Sequence, residues 1–188
     1  MIKGIKKFLA GMLVAAVAVT AVPATAGAAT SPTTSVEPVK QTEVTAEKKN
    51  GIEITVNTSK DGKATINEIE PTTKKTVTVA SKVTVNGVSY TVTKISANAF
   101  TNCTKATKVT LPSTITSIGQ NAFSGNKTIK NIVLTGTKAP TISKTAFKGV
   151  DTKKMTVTYN SKMSSKQVKA LKASLKAAGF KGTVKKAK

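Results

Sequence analysis

The sequence predicts a fold that is mainly β with minor α, arranged as a short solenoid of parallel strands. Three observations predict it. Short runs rich in Val, Ile and Thr alternate with Gly and Asn turns after residue 50, and equivalent apolar residues recur about every 23 residues after residue 92. Apolar residues near the end of the chain then follow the spacing of a helix.

Residues 1–29 have the order of a secretory signal peptide. Lysines precede an apolar run over 8–22, and small residues follow Pro23. The apolar run is shorter than the ~20 residues that a membrane-spanning helix needs, although an uncleaved anchor is the alternative. We expect a secreted or extracellular mature chain without a transmembrane helix, whose association with the cell wall is non-covalent. Cleavage is expected after one of three alanines, Ala26, Ala28 or Ala29.

Residues 30–50 are rich in Thr, Ser, Pro and Glu and contain no aromatic residue. Such a segment cannot bury enough apolar surface to offset the conformational entropy that is lost when a chain becomes ordered. We therefore expect a flexible linker between the signal peptide and the folded domain.

Residues 51–92 are expected to form an N-terminal β-hairpin cap. Isoleucine and valine alternate with polar residues over 52–56, before a Lys-Asp-Gly-Lys turn at 60–63. A second turn signal, Asn86-Gly87, lies between two strand-forming runs. Asn and Gly both tolerate the positive φ that a tight hairpin turn requires, so this dipeptide is a strong hairpin signal.

Residues 93–160 carry an internal repeat, which is the strongest signal in the sequence. Five apolar columns recur with steps of 23 to 25 residues. A period in this range is typical of leucine-rich-repeat coils, each of which must stack on its neighbours to bury its apolar side. The sequence therefore predicts about two to three repeats whose apolar residues form a core ladder. The ladder consists of Ile95, Phe100, Val109, Leu111, Ile118, Phe123, Ile132, Leu134, Ile142, Phe147, Val157 and Tyr159.

The strand residues that alternate with this ladder are expected to point outward. They form a polar, slightly basic face without aromatic side chains, whereas tight protein interfaces usually rely on Trp, Tyr and Arg. This outward face is the predicted binding surface, and it favours a weak, multivalent or electrostatic partner. A face that is merely solvated is the alternative. Its members are Lys108, Thr110, Asn131, Val133, Thr156 and Thr158.

Residues 161–188 are expected to form a C-terminal capping helix and a basic tail. Leu171 and Leu175 belong to a run with helical spacing that begins at a serine N-cap. Gly179 is expected to end the helix in a left-handed conformation, so that Phe180 folds back on Leu175. Lysines occupy the other side of the helix, and a cationic helix that binds anionic surfaces is the alternative interpretation.

These repeats resemble the BspA-like leucine-rich repeats of bacterial surface proteins. The family pattern, roughly I-G-x-x-A-F-x-x-C-x-x-L-x-x-V-x-L-P, is matched by Ile-Gly-Gln-Asn-Ala-Phe at 118–123 and by residues 95–112. The match covers about 76–160. The family cysteine is present at Cys103, but the next repeat has Asn126 in its place. The resemblance implies a leucine-rich-repeat solenoid and adhesion to host matrix proteins or to other cells.

The composition excludes most catalytic chemistry. The chain has no histidine and one cysteine, so Ser–His and Cys–His nucleophilic sites, histidine-based metal sites and a structural zinc site cannot form. Seven of the eight acidic residues precede position 71, which leaves few carboxylates for a glycosidase pair in the repeats. We expect no enzyme activity, no cofactor and no metal.

The net charge is +22, and all 30 basic residues are lysine. Such a charge attracts phosphate, but specific nucleic-acid readers use arginine and aromatic platforms. Since export also separates the protein from the chromosome, we expect no physiological nucleic-acid partner. The favoured function is an exported, non-catalytic binding module whose partner is a protein or an anionic polymer, such as host matrix or a cell-wall polymer. A structural spacer without a ligand of its own is the alternative.

Overall fold

A computed structural model describes residues 37–47 and 51–188. The signal peptide predicted over 1–29 lies outside these residues. No helix in the described part of the chain has the length and apolar character needed to cross a bilayer. In chain order the elements are β1 (Gln41–Thr45), β2 (Ile54–Thr58), β3 (Lys63–Ile69), β4 (Thr76–Thr78), β5 (Lys82–Val85), β6 (Val88–Ile95), β7 (Lys108–Leu111), β8 (Ser117–Ile118), β9 (Asn131–Leu134), β10 (Thr141–Ile142), β11 (Thr156–Tyr159), α1 (Ser165–Ala177) and β12 (Thr183–Lys186).

One sheet combines antiparallel and parallel strands in the order β1–β2–β3–β6–β8–β10, and β5 also pairs with β6. The pairs β1–β2, β2–β3 and β5–β6 are antiparallel. Asn86 and Gly87, which connect β5 to β6, have φ values of 51° and 77°, as the hairpin prediction requires. Along β3–β6–β8–β10 the pairing is parallel, and Ile95, Ile118 and Ile142 become register partners.

The other sheet consists of parallel strands in the order β12–β11–β9–β7–β4. Lys108 pairs with Asn131 and Asn131 pairs with Thr156, and the register continues unchanged along these strands. In the intervals from β4 to β7, from β7 to β9 and from β9 to β11, the chain contributes β6, β8 and β10 to the first sheet. The chain therefore alternates between two sheets, as the predicted solenoid of parallel strands does.

A column of phenylalanine rings forms the centre of the repeats. The ring centroids of Phe100 and Phe123 are 4.8 Å apart with planes 7° from parallel, and those of Phe123 and Phe147 are 5.2 Å apart at 6°. Phe180, from the segment after the helix, lies against Phe147 at 5.4 Å with a tilt of 55°. Each ring contributes a large apolar area, so stacking joins consecutive turns into one continuous core.

The prediction of a flexible linker over 30–50 is wrong at Gln41–Thr45, where β1 forms and pairs with β2. The backbone N–H of Gln41 donates to Thr58 Oγ1 at 3.0 Å, and that of Glu43 donates to Asn57 Oδ1 at 2.7 Å. An edge strand presents unpaired backbone groups that a neighbouring segment can satisfy. Composition does not reveal this pairing, because β1 is held mainly by hydrogen bonds and buries little apolar surface.

The helix α1 begins and ends as its sequence predicts. Ser164 is the N-cap, and its hydroxyl accepts a backbone hydrogen bond from the first turn. Gly179 has a φ of 74°, and its N–H donates to the Lys176 carbonyl while the N–H of Phe180 donates to the Leu175 carbonyl, each at 3.0 Å. This pair of bonds is the Schellman motif, which turns the chain back toward the core.

The basic tail predicted after the helix contains a strand that the sequence analysis does not predict. β12 pairs in parallel with β11, and the N–H of Thr183 donates to the Met155 carbonyl at 2.9 Å. The N–H of Lys181 also donates to Thr152 Oγ1 at 2.9 Å. β12 thereby covers the edge of β11, and its own lysines discourage the addition of a further strand.

Candidate binding surface

The six residues predicted to point outward lie on one face of the parallel sheet. They form two rows of register partners on β7, β9 and β11. The residues between the rows, such as Val109 and Ile132, are at most 2% exposed, as the alternation of strand side chains requires. Lys108 and Asn131 are exposed, and the other members are half-buried. The first row is Lys108, Asn131 and Thr156, and the second is Thr110, Val133 and Thr158.

The structure extends this outward face at both ends with residues that the sequence analysis missed. β4 adds Thr76 and Thr78 beside β7, and β12 adds Thr183 and Lys185 beside β11. A usable signal was present, because the tripeptide Thr-Val-Thr occurs in both β4 and β11. Aligning those two tripeptides would have assigned β4 to the repeat array.

The outward face offers hydroxyl, amide and ammonium groups at regular spacing. Neighbouring strands are about 4.8 Å apart, and alternate residues along a strand are about 6.7 Å apart. Its cations are Lys108 near one end and Lys185 at the other. A shallow polar array of this kind suits many weak hydrogen bonds and charge contacts to an extended partner, rather than the enclosure of one small molecule.

Tyr159 differs from the other predicted members of the core ladder. The other eleven are buried, whereas Tyr159 is half-buried, so its assignment to the buried ladder needs correction. Leu111 and Leu134 precede it in the same register column, and Lys186 follows it. Lysine keeps its ammonium group in water, and Lys186 is itself exposed, so it covers the tyrosine ring less completely than a buried leucine would.

The residues that form the outward face include neither the cysteine nor an acidic residue. Cys103 is buried, and burial raises the pKa of its thiol to about 12. Burial also raises the pKa of Glu70, with a further contribution from the charges of Glu68 and Glu53. Within 37–47 and 51–188, no three His, Cys, Asp or Glu side chains are grouped as a metal site requires. The outward face itself supplies hydrogen bonds and positive charge.

Several solved structures are similar to this chain. A leucine-rich cell surface protein from Faecalibacterium prausnitzii is 27% identical, with a TM-score of 0.48, and the match covers 60% of this chain and 29% of that one. A leucine-rich repeat protein from Bacteroides capillosus is 19% identical, with a TM-score of 0.39, over 66% of this chain and 99% of that one. One from Bacteroides ovatus is 23% identical, with a TM-score of 0.37, over 58% and 37%. The chain thus spans less than a third of the length of the first of these proteins.

A family model agrees with the repeat pattern seen in the sequence and in the strand register. The model described as the BspA type leucine rich repeat region matches residues 72–186, in six copies. No curated protein sequence matches the chain. The family match covers more than half of the chain and includes the parallel strands and the phenylalanine column. The chain belongs to the BspA-type leucine-rich-repeat family.

Proposed function

We propose that this chain is an exported, non-catalytic binding module that acts at the bacterial cell surface, where its partner is a host matrix protein or an anionic surface polymer. Membership of the BspA-type family supports the surface role. The observation that carries the proposal is the outward face, where register partners on successive parallel strands repeat polar side chains along the solenoid, with Val133 as an apolar member. Repetition allows individually weak contacts to act together.

The distribution of charge supports an anionic partner. Residues 71–188 contain 22 lysines and a single acidic residue, Asp151. A surface with one sign of charge attracts an oppositely charged partner from a distance and raises the association rate. Because exposed charges are screened by salt, the charge alone gives only a salt-sensitive attachment. Specific binding requires contacts that survive physiological salt.

Fractionation of a bacterium that exports the full chain tests the surface role. We expect the protein in the cell-surface and medium fractions, with a share that a salt wash releases. The purified chain should also be retained by immobilised matrix proteins or by an anionic polymer at about 0.15 M salt, where screening acts over about 8 Å. Complete elution from both below that salt concentration would instead indicate a spacer, or a polycation without a specific partner.

A pair of charge-reversed variants tests whether the outward face makes the contact. Lys108 lies on the face, and Lys105 is an exposed lysine outside the strands. Lys108→Glu and Lys105→Glu change the net charge equally, so long-range attraction falls equally in both. We expect weaker retention of the Lys108→Glu variant on the bound matrix protein. Equal retention of the two variants would exclude the face near Lys108 as the contact surface.

A further inference from the structure

The column of inward-facing leucines opens into a groove at the C-terminal end of the repeats. In successive strands the column reads Leu111, Leu134, Tyr159 and Lys186. The two leucines are buried, whereas Tyr159 is half-buried and Lys186 is exposed. The position that stabilises the core of the earlier turns therefore carries an aromatic ring and a cation at the end of the array, where both line the groove.

The helix α1 forms the opposite wall of this groove. Ser165, Val168, Lys169 and Lys172 line it, and their spacing of three and four residues sets them on one side of the helix. The neighbouring side of α1 buries Leu171 and Leu175 in the core. The packing of Leu171 and Leu175 in the core therefore fixes the rotation of α1 about its axis. The groove-lining residues of α1 consequently point in one fixed direction.

The position of the helix is fixed by a further contact to the repeats. The side-chain oxygen of Gln167 accepts a hydrogen bond from the backbone N–H of Ala139 at 2.8 Å. Met163, which also lines the groove, is 7% exposed and belongs to the core. The groove is therefore built on packed elements, and a ligand would meet walls that are already ordered, which lowers the entropic cost of binding.

The groove has a volume of about 470 Å³, within the range of sites that hold small ligands or single units of a polymer. Its lining combines the Tyr159 ring and the apolar side chains of Met163 and Val168 with two serine hydroxyls and three lysine ammonium groups. None of the described residues that line it is acidic. The three ammonium groups are Lys169, Lys172 and Lys186.

We propose that this groove binds an acidic sugar unit of a polysaccharide that carries carboxylate or sulfate groups. The flat C–H face of a sugar ring fits against the Tyr159 ring, and the serine hydroxyls Ser161 and Ser165 can bond its hydroxyl groups. Its acidic group meets the lysines, whose compact charges do not demand the paired geometry that arginine imposes. A polyol phosphate chain lacks the ring face, so it uses only the cations. This inference rests on the proposed function, because it names the ligand class and the site of the same binding module.

The test measures binding of the full chain to three probes at about 0.15 M salt, where distant charges are screened. Heparin oligosaccharides carry sulfate and carboxylate, oligogalacturonate carries carboxylate alone, and poly(glycerol phosphate) carries phosphate without sugar rings. We expect the two acidic saccharides to bind more tightly than the phosphate polymer. A preference for poly(glycerol phosphate) would overturn the assignment of the ligand class.

A matched pair of double variants tests the position of the site. Lys172→Ala with Lys186→Ala removes two groove lysines, whereas Lys166→Ala with Lys181→Ala removes two exposed lysines, on the same helix and just before the same strand, that line neither the groove nor the outward face. Both pairs lower the net charge by two. We expect the groove pair to weaken saccharide binding about tenfold and the control pair to weaken it less than about threefold. Equal losses of affinity in the two pairs would show that binding depends on overall charge and would overturn the groove site.

Tyr159→Leu tests the ring contact without threatening the fold, because leucine already occupies this column at Leu111 and Leu134. We expect saccharide affinity to fall about three- to tenfold, with no change in affinity for poly(glycerol phosphate). Unchanged saccharide affinity would overturn the sugar-ring contact. If the wild-type chain binds matrix proteins but neither saccharide, the groove inference fails and the proposed function stands. If it binds none of the three probes and no matrix protein, the proposed function itself fails.

Discussion

The side-chain amide of Asn126 donates a hydrogen bond to the carbonyl oxygen of Cys103, 2.9 Å away, and Cys103 holds the same column one repeat earlier. The same nitrogen lies 3.3 Å from the carbonyl oxygen of Phe100. The side-chain oxygen of Asn126 accepts hydrogen bonds from the backbone N–H groups of Thr128 and Ile129, each at 3.0 Å. Asn126 is 2% exposed, so a fully bonded amide joins two consecutive turns where the family pattern has cysteine.

Replacing Asn126 should destabilise the protein more than its size suggests. Asn126→Ala leaves buried backbone donors and acceptors without partners, and we expect a loss of about 2–4 kcal/mol in the free energy of unfolding. Asn131→Ala is the control, because Asn131 is exposed on β9; its cost should stay within about 0.5 kcal/mol. Urea unfolding of both variants measures the difference. Similar small losses for both would show that the Asn126 bonds contribute little.

The phenylalanine column predicts an order of stabilities for two truncations. Phe123 has a stacked ring on each side, and Phe180 meets one ring at the end of the column with a tilt of 55°. We expect Phe123→Ala to cost about 3–5 kcal/mol, because a central cavity cannot collapse easily, and Phe180→Ala to cost less. Urea melts of the two variants compare them directly. A Phe123→Ala variant as stable as the wild type would contradict a core built on this column.

The repeat columns were predictable because periodic burial leaves a periodic sequence. Phe100, Phe123 and Phe147 recur at nearly constant spacing, and a coil that stacks on its neighbours needs an equivalent side chain at each turn. The outward face follows from the same columns, since alternate strand residues point in opposite directions. The fold is therefore most predictable from the sequence where one physical constraint acts repeatedly.

The elements at the two ends were not predictable in this way. β1 and β12 each pair once with an edge strand, and their side chains are mostly half-buried or exposed. Backbone pairing of that kind leaves no periodic apolar signal. The groove was not predictable for a related reason. Tyr159 and Lys186 form a groove only because the helix α1 packs opposite them. That setting depends on tertiary contacts rather than on local pattern.

Gly182 lies just before β12 at a position that has no room for a side chain. A Cβ atom at this position would overlap the backbone carbonyl oxygens of Met155 and Thr152 and lie 2.8 Å from the Phe180 ring. Since the backbone cannot yield as a flexible side chain can, we expect Gly182→Ala to cost about 1–3 kcal/mol and to increase hydrogen exchange at the β12 amides. Gly136→Ala is the control, because its nearest contact is 3.1 Å and the overlap is milder. Unchanged exchange at β12 in Gly182→Ala would show that β12 docks with a side chain at this position.

The thiol of Cys103 should be unreactive in the folded protein. Its side chain is 0% exposed, and burial raises the pKa of the thiol from 9.0 to about 12. Because the thiolate is the reactive form and each pH unit changes its fraction tenfold, the folded protein holds about a thousandfold less thiolate at pH 8 than the unfolded chain. We expect a disulfide reagent to label the wild type in urea but not in native buffer. The double variant Cys103→Ser with Thr104→Cys moves the thiol to an exposed neighbour, and it should be labelled in urea and in native buffer. Rapid labelling of the wild type in native buffer would show that Cys103 is accessible.

The same raised pKa of Cys103 predicts how stability changes in alkaline solution. The unfolded thiol releases its proton near pH 9, whereas the folded thiol retains it until about pH 12. The buried thiol of Cys103 therefore makes its full contribution to the free energy of unfolding below pH 9. This contribution declines as the pH rises above 9, because deprotonation of the thiol then favours the unfolded chain. Cys103→Ala lacks this titration and is otherwise the same chain, so the stability difference between wild type and variant should shrink from pH 9 upward. A difference that stays constant up to pH 10.5 would mean that the folded thiol ionises as readily as the unfolded one.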